Sequence, residues 1–311
     1  MLKQKLKPYC YSENGTLKEV FVCSPANHNV LGSEVSAVGF AEEFIAEKAY
    51  DQHYQMKMKL KNFGCTVHDL STEVISPLWD RLVNRIFIRD VGAVFGENMI
   101  LGTPGNELRQ PDFYFSQIFL KSFTEKRALL SIPSSSSLEF GDFLIISPEC
   151  VLINTGHRSQ NRIELASFLF SIGVEEVGFV SLPKTIESLH LDVVCNILGK
   201  DIFIAASFLR FSAVSIFKSS SVSYEPEYST IDNFIERHGY SVFWLPNKDY
   251  LLDYTNFINL NKQTVLISNE SVSYYQEIFP HIEYIGVDVK QLQHGAGSIR
   301  CLTMPFVREQ K

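Results

Sequence analysis

The chain has 311 residues, 45% of them apolar, and a formal net charge of -7. That is enough for one large α/β domain or two ordinary ones, and the acidic balance excludes a general nucleic-acid binder while favouring a cationic partner or substrate. Six cysteines (10, 23, 65, 150, 195 and 301) lie far apart, with no CxxC pair and no short Cys/His cluster, which excludes the usual structural zinc patterns and a disulfide framework.

The basic start "MLKQKLKPYC" has no apolar run after it, so no secretory leader is expected. A strand at "KEVFVCSP" (18–25), a helix at 38–62 and a strand at "CTVHDL" (65–70) come first. "RIFIRD" (85–90) and "AVFGENMILG" (93–102) read as two strands joined at Gly-Glu-Asn, before a helix over 107–122 and a strand near "RALLSI". "DFLIISPECVLINTG" (142–156) repeats strand, turn and strand, followed by a helix over 159–172 and the strand "VGFVSL" (177–182). A third hairpin, "LDVVCNILGKDIFIAA" (191–206), turns at Leu-Gly-Lys-Asp and is completed by a later helix and the strand "SVFWLP" (241–246). The most apolar window, "DIFIAASFLRFSAVSIF" (201–217), is too short to span a bilayer and contains Asp201 and Arg210, so it reads as a buried strand followed by a helix. A fourth hairpin lies in "YTNFINLNKQTVLIS" (254–268), before a helix near 271–279 and the strand "IEYIGV" (282–287). Hairpins thus begin near 87, 142, 192 and 254, the mark of a supersecondary repeat. "RCLTMPF" (300–306) pairing with residues 18–25 would supply a fifth unit and join the two ends. With no Pro/Gly-rich linker and only a short "PSSSS" run, residues 1–311 read as one domain, cytoplasmic, with reduced thiols and no membrane segment.

Four segments fall at comparable places of the repeat, where a strand is expected to end: "FIRDVG" (87–92), "LEFGD" (138–142), "LHLD" (189–192) and "RCLTMP" (300–305). They offer Asp90, Glu139, His190, Asp192 and Cys301. A thiolate needs an electrophilic carbon and a group to handle the leaving-group proton, and His190 suits that acid and base work. Two aspartates would repel an anion and match a planar cation with several N–H donors, a guanidinium, whose charge would in turn favour the thiolate. Each residue alone also has an ordinary reading: Cys301 as a small apolar side chain, His190 and Asp192 as a surface pair, Asp90 as a turn residue beside Arg89, Glu139 and Asp142 as turn chemistry around Gly141. All five at matching points of a repeat favour a site, with Cys301 attacking the central carbon of a guanidino group.

These motifs resemble those of the guanidine-modifying enzymes of the pentein superfamily: arginine deiminases, dimethylarginine dimethylaminohydrolases and amidinotransferases. "NRIFIRDVGAVFGENMILG" (84–102) is similar to a deiminase stretch with Phe-Thr-Arg-Asp-Pro before a hairpin, with Val91 in place of proline; "LEFGD" is similar to Glu-Gly-Gly-Asp, with Phe140 in place of a glycine; "HLD" and "CLTMP" resemble the deiminase histidine and cysteine motifs. The resemblance implies a five-bladed pentein α/β propeller built from pseudo-fivefold ββαβ repeats. Cys301 would form a covalent thiouronium, His190 would protonate the departing amine and then activate water, Glu139 would orient His190, and Asp90 and Asp192 would grip the guanidinium. Asn84, Arg109 and Arg158 stand where deiminases hold the substrate's amino-acid end, although a further arginine upstream of the cysteine is replaced by Ala296, leaving Arg300 and His294 as candidates to substitute. Arg109 and Arg158 also fit as solvated charges at helix ends. The chain lacks a long helical insertion common in bacterial arginine deiminases. No metal and no organic cofactor are expected. The leading expectation is a hydrolase acting on a small cationic guanidino substrate such as arginine or a derivative; the alternatives are an amidinotransferase and a non-catalytic binding protein. The oligomeric state, a homo-oligomer included, is left open.

Overall fold

The computed structural model describes residues 5–72, 76–221, 225–246 and 251–309. Its strands are short apolar runs such as "CVLIN" (Cys150–Asn154) and "TVLIS" (Thr264–Ser268), buried along their whole length. Such runs do not alternate with polar residues because both faces of the strand are covered.

Among the described residues these strands form five sheets with a shared core of three, an antiparallel pair followed by a parallel third strand. The core of one sheet is Gly92–Phe95, Asn98–Leu101 and Leu129–Ser131; that of the next is Phe143–Ser147, Cys150–Asn154 and Glu176–Val180. Then come Cys195–Leu198, Ile202–Ala206 and Ser241–Leu245, and Ile258–Asn259, Thr264–Ser268 and Glu283–Val287. The remaining sheet joins the chain ends, with Met304–Glu309 antiparallel to Thr16–Val22, which runs parallel to Thr66–Asp69. A helix connects the second and third core strands in every unit: Ala46–Phe63, Gln110–Phe123, Arg162–Ser171, Ile231–Glu236 and Asn269–Ile278. The tight hairpins at 95–98 and 198–202 depend on Gly96 and Gly199, both at φ 61°, a conformation that side chains with a Cβ resist.

Three expectations are corrected. Residues 85–90 are not a strand: a 3₁₀ turn at Val83–Ile86 and a helical turn at Ile88–Val91 precede the strand that starts at Gly92. The third hairpin likewise opens with a helical turn, Leu191–Val194. The window 201–217 is strand, 3₁₀ turn and a second strand, Ala213–Lys218, which leaves its own unit to pair with Glu176–Val180 next door. The strands and helical turns concerned are buried apolar segments alike, apart from the exposed Phe208 and Phe211 in the 3₁₀ turn, so apolarity alone does not distinguish strand from helical turn. No helix of the described residues is long and apolar enough to cross a membrane. All six cysteines are buried free thiols.

Aromatic packing ties the end-joining sheet to its neighbour. Phe21 is fully buried, with the rings of Phe306 and Phe123 set edge-on at 5.1 and 5.5 Å. Phe21→Ala is expected to cost about 3–5 kcal/mol of stability, measured as a lower urea midpoint at unchanged slope.

Candidate active site

The four sequence segments do come together, but in the turns that lead into the first core strand of their units. The helical turn at Ile88–Val91 carries Asp90, the 3₁₀ turn at Phe140–Asp142 follows Glu139, His190 precedes the turn at Leu191–Val194, and Cys301 lies just before Met304–Glu309. A helical turn satisfies its own backbone locally, which lets the side chains leave the strand direction. Asn84, Asp90, Arg109, Arg158, His190 and Cys301 all line one small cavity of ≈ 50 Å³. Glu139 and Asp192 stand immediately behind that lining, both buried.

His190 is held from two sides. Its Nε2 lies 2.9 Å from Glu139 Oε2, and its Nδ1 lies 3.6 Å from Asp90 Oδ1. Burial opposes an imidazolium here, but Asp90, Asp142 and Glu139 outweigh it and hold the pKa up to about 10. Glu139 is correspondingly held below its ordinary range despite burial, by His190 and then Arg158. Its Oε1 also accepts from the Gly105 amide at 2.8 Å and from Arg158 Nη1 at 3.3 Å. This closeness depends on Gly141: a Cβ there would fall 2.8 Å from the His190 ring and 2.9 Å from Asp90 Oδ1. Phe140, the departure from the family's glycine, instead turns its ring into the core against Phe143.

Cys301 is a protonated thiol at rest. Burial, then Asp192 and Asp90, pushes it well above its ordinary value. Its Sγ lies 3.7 and 3.8 Å from the Asp192 oxygens and accepts from Asn256 Nδ2 at 3.1 Å, while the Cys301 amide donates to Asn256 Oδ1 at 3.1 Å. Asn256 was not anticipated from the sequence. It follows the helical turn Leu252–Thr255, which enters the fourth hairpin as the turns of the other segments enter theirs, so the repeat itself was the available signal.

The two aspartates expected to grip a cation already have partners. Arg109 Nη1 donates to Asp90 Oδ2 at 3.0 Å, and Arg300 Nη1 donates to Asp192 Oδ2 at 2.9 Å. Arg300 continues to Glu13 Oε1 at 3.0 Å and is buried away from the cavity, so it does not replace the missing arginine near the cysteine. His294 does not either; its ring meets the Glu43 carbonyl and Glu42. Ala296 lines the cavity at φ 68°. Arg109 and Arg158 are mostly buried and paired, which removes the reading of both as solvated helix-end charges. Ligand atoms of Asp90, Glu139 and His190 lie within 4.8 Å of one another, near enough to share a metal ion; the imidazolium supplies the positive charge between those carboxylates. Cys150, Glu176 and His238 form a second such set.

Other proteins share this arrangement of elements. The structure aligns with DDAH from Pseudomonas aeruginosa complexed with citrulline (TM-score 0.70, 16% identity, 94% of this chain and all of the other). It also aligns with SxtG, an amidinotransferase of the saxitoxin biosynthetic pathway from Microseira wollei (TM-score 0.69, 13% identity, 98% of each chain). The fold is thus the α/β fold of these two structures. By sequence the chain is 26% identical to the uncharacterised Bacillus subtilis protein YkgA over 98% of its own length and 97% of the other. It is 26% identical to arginine deiminase of Listeria monocytogenes over 74% of its length, spanning 62% of that relative. The arginine deiminase family model matches residues 66–308, and the chain belongs to that family.

The imidazolium has a consequence for stability. Because the folded pKa of about 10 lies above the ordinary 6.5, His190 contributes fully below pH 6.5 and its contribution is lost as pH rises through about 10. His190→Gln is expected to cost about 3–5 kcal/mol at acid to neutral pH, with the gap to the parent protein closing toward pH 10 in denaturant titrations at matched pH.

Proposed function

We propose that the protein is a cysteine-dependent hydrolase that cleaves a C–N bond of a guanidino compound, arginine or a derivative of it. The observation that carries this reading is the shared cavity of Cys301, His190 and Asp90, backed by Asp192 and Glu139. A guanidinium entering between Asp90 and Asp192 would offset the two charges that keep the thiol protonated, so the substrate itself favours the thiolate. As the guanidinium binds, the thiol releases its proton to solvent; sulfur then attacks the guanidinium carbon, and the resulting tetrahedral centre expels ammonia or amine as it takes a proton from His190. The positively charged thiouronium that remains is attacked by water, which gives one proton back to His190; sulfur leaves with the electrons of the C–S bond, takes up the remaining hydroxyl proton to restore the thiol, and a ureido product is released. Glu139, fixed by Gly105 and Arg158, keeps the imidazole turned toward the cavity through both halves of the cycle. Asn256 steadies the sulfur through its amide N–H.

Asn84, Arg109 and Arg158 are the side chains proposed to meet the rest of the substrate. The sharing of one sheet by the two chain ends supports closing the five ββαβ units into a five-bladed propeller. Free thiols are in keeping with a reducing, cytoplasmic setting.

The test incubates the protein with arginine, methylated arginines, citrulline and agmatine, with and without glycine or lysine as acceptor, and identifies products by mass spectrometry. Release of ammonia or amine from at least one substrate is expected, reduced on the order of a thousandfold or more in Cys301→Ser. Undiminished turnover in that variant would sink the nucleophile assignment, and amidino transfer to the added amine would replace hydrolysis with the transferase reading. A second measurement concerns the thiol: at neutral pH Cys301 should react far faster with a cationic haloacetamidine than with neutral iodoacetamide, because only the former brings the compensating charge.

A further inference from the structure

We propose that Cys150, Glu176 and His238 form a binding site for a divalent ion of the zinc class, outside the central cavity, which clamps the end of a third-unit helix onto the sheet of the second unit. Cys150 and Glu176 are directly paired at the start of two parallel strands, so their side chains leave the same face of the sheet side by side. His238 comes from the third unit, just after the helix Ile231–Glu236. Glu176 Oε1 lies 3.8 Å from Cys150 Sγ and 3.3 Å from His238 Nε2, and the three ligand atoms lie within 4.8 Å of one another. Around a tetrahedral zinc ion, with bonds of about 2.0 Å to oxygen and nitrogen and about 2.3 Å to sulfur, neighbouring ligand atoms stand about 3.3 to 3.5 Å apart. The three atoms are thus already near the spacing that an ion imposes. The catalytic turns are elsewhere: the one after Glu139 enters its sheet at Phe143, opposite Ile153, whereas Cys150 lies opposite Ser147 at the other end of the same two strands, roughly 13 Å away.

The histidine supplies a second, independent observation. His238 Nδ1 lies 2.7 Å from the Phe234 carbonyl, which can only accept, so Nδ1 carries a proton and Nε2 of the neutral ring presents a lone pair. That lone pair faces the Glu176 carboxylate, and two acceptors so close need a cation between them. A proton on Nε2 would serve the His–Glu pair alone. The buried thiol beside the same oxygen points to a metal ion: thiolate, carboxylate and neutral imidazole carry two negative charges between them, which a divalent ion balances. Sulfur and imidazole donors favour zinc over magnesium or calcium, which take oxygen ligands. As the sulfur–metal bond forms, the thiol gives up its proton to solvent, and the fourth position stays open to water. Glu176 and His238 are partly exposed, which leaves a way in for the ion. Arg237 also donates to Glu176 Oε1, but its side chain is 38% exposed and its guanidinium lies over the Phe234 ring, so it can turn to Oε2 or to solvent without stranding a buried charge.

The experiment strips the full chain of metal with a chelator and titrates it with Co²⁺, a spectroscopic stand-in for Zn²⁺. One equivalent should bind with a dissociation constant of roughly micromolar or tighter. It should give a sulfur-to-cobalt charge-transfer band in the near-ultraviolet, which added Zn²⁺ removes by displacement. The band should persist in Cys301→Ser, vanish in Cys150→Ser, and require at least about tenfold more Co²⁺ in His238→Gln. Zn²⁺ should raise the melting midpoint of the parent protein by a few degrees and leave that of Cys150→Ser unmoved. A band lost in Cys301→Ser and kept in Cys150→Ser puts the ion in the central cavity and overturns the proposal. Cobalt binding without a sulfur band overturns it too, as does no binding at up to about millimolar metal. An ion that binds without moving the parent's melting midpoint overturns the clamp. Circular dichroism checks the folding of both variants. If Cys150→Ser does not fold, His238→Gln, at a partly exposed position, carries the test: undiminished cobalt affinity there overturns the assignment.

Discussion

The centre of this protein concentrates carboxylates where water does not reach, and each has to find a positive charge or several hydrogen-bond donors close by. Asp90 has Arg109, Asp192 has Arg300, and Glu139 has His190 and Arg158. Asp142 takes Asn154, Ser159 and the Leu191 amide, although burial still pushes it up to about 7. Glu13, from a segment ahead of the family match, reaches across the centre to Arg300, the residue next to Cys301. Removing one partner from such a pair leaves a buried charge stranded, so the positions of these side chains are coupled, and the folds of separate units are coupled through them.

Charge matching also sets the resting state of the chemistry. Asp90 acts on both groups: with Asp142 and Glu139 it keeps His190 charged, and after burial and Asp192 it helps to push the Cys301 thiol up. In the proposed cycle this keeps the nucleophile quiet toward neutral electrophiles: a neutral molecule entering the cavity does nothing to lower the thiol's pKa, whereas a guanidinium does. Selectivity for a cation and activation of sulfur are then one electrostatic event. The five-unit architecture makes this possible because each unit delivers a side chain from the same local position, the turn entering its first core strand. Residues from 84 to 301 thereby meet around a space of ≈ 50 Å³ without any one segment having to carry the whole site.

Much of the site was legible because its chemistry is carried by residue type at repeated positions. Asp90, Glu139, His190, Asp192 and Cys301 could be picked out as charged or reactive side chains at matching points of successive hairpins. Asn256 escaped notice because an amide in "YTNFINL" is ordinary in a loop; only its contact with the sulfur distinguishes it. Arg300 looked like a candidate for the cavity because it adjoins Cys301, yet successive side chains in a turn point different ways, and it runs behind the site to Asp192 and Glu13. The window 201–217 misled for another reason: apolar content records burial, and a strand lent to the neighbouring sheet is as buried as a helix in its own unit.

What the sequence determined by itself was the succession of ββαβ units, the meeting of the two ends in one sheet, and the kinds of groups at the centre. Those follow from local chemistry: apolar runs of strand length, glycines that permit tight turns, and a period that repeats. The pairing of the charges was decided by the tertiary structure alone. Which carboxylate faces Arg109, which holds the imidazole and which lies beside the sulfur depend on distances between units far apart in the chain, and Coulomb energy in a buried site changes steeply over those few ångströms.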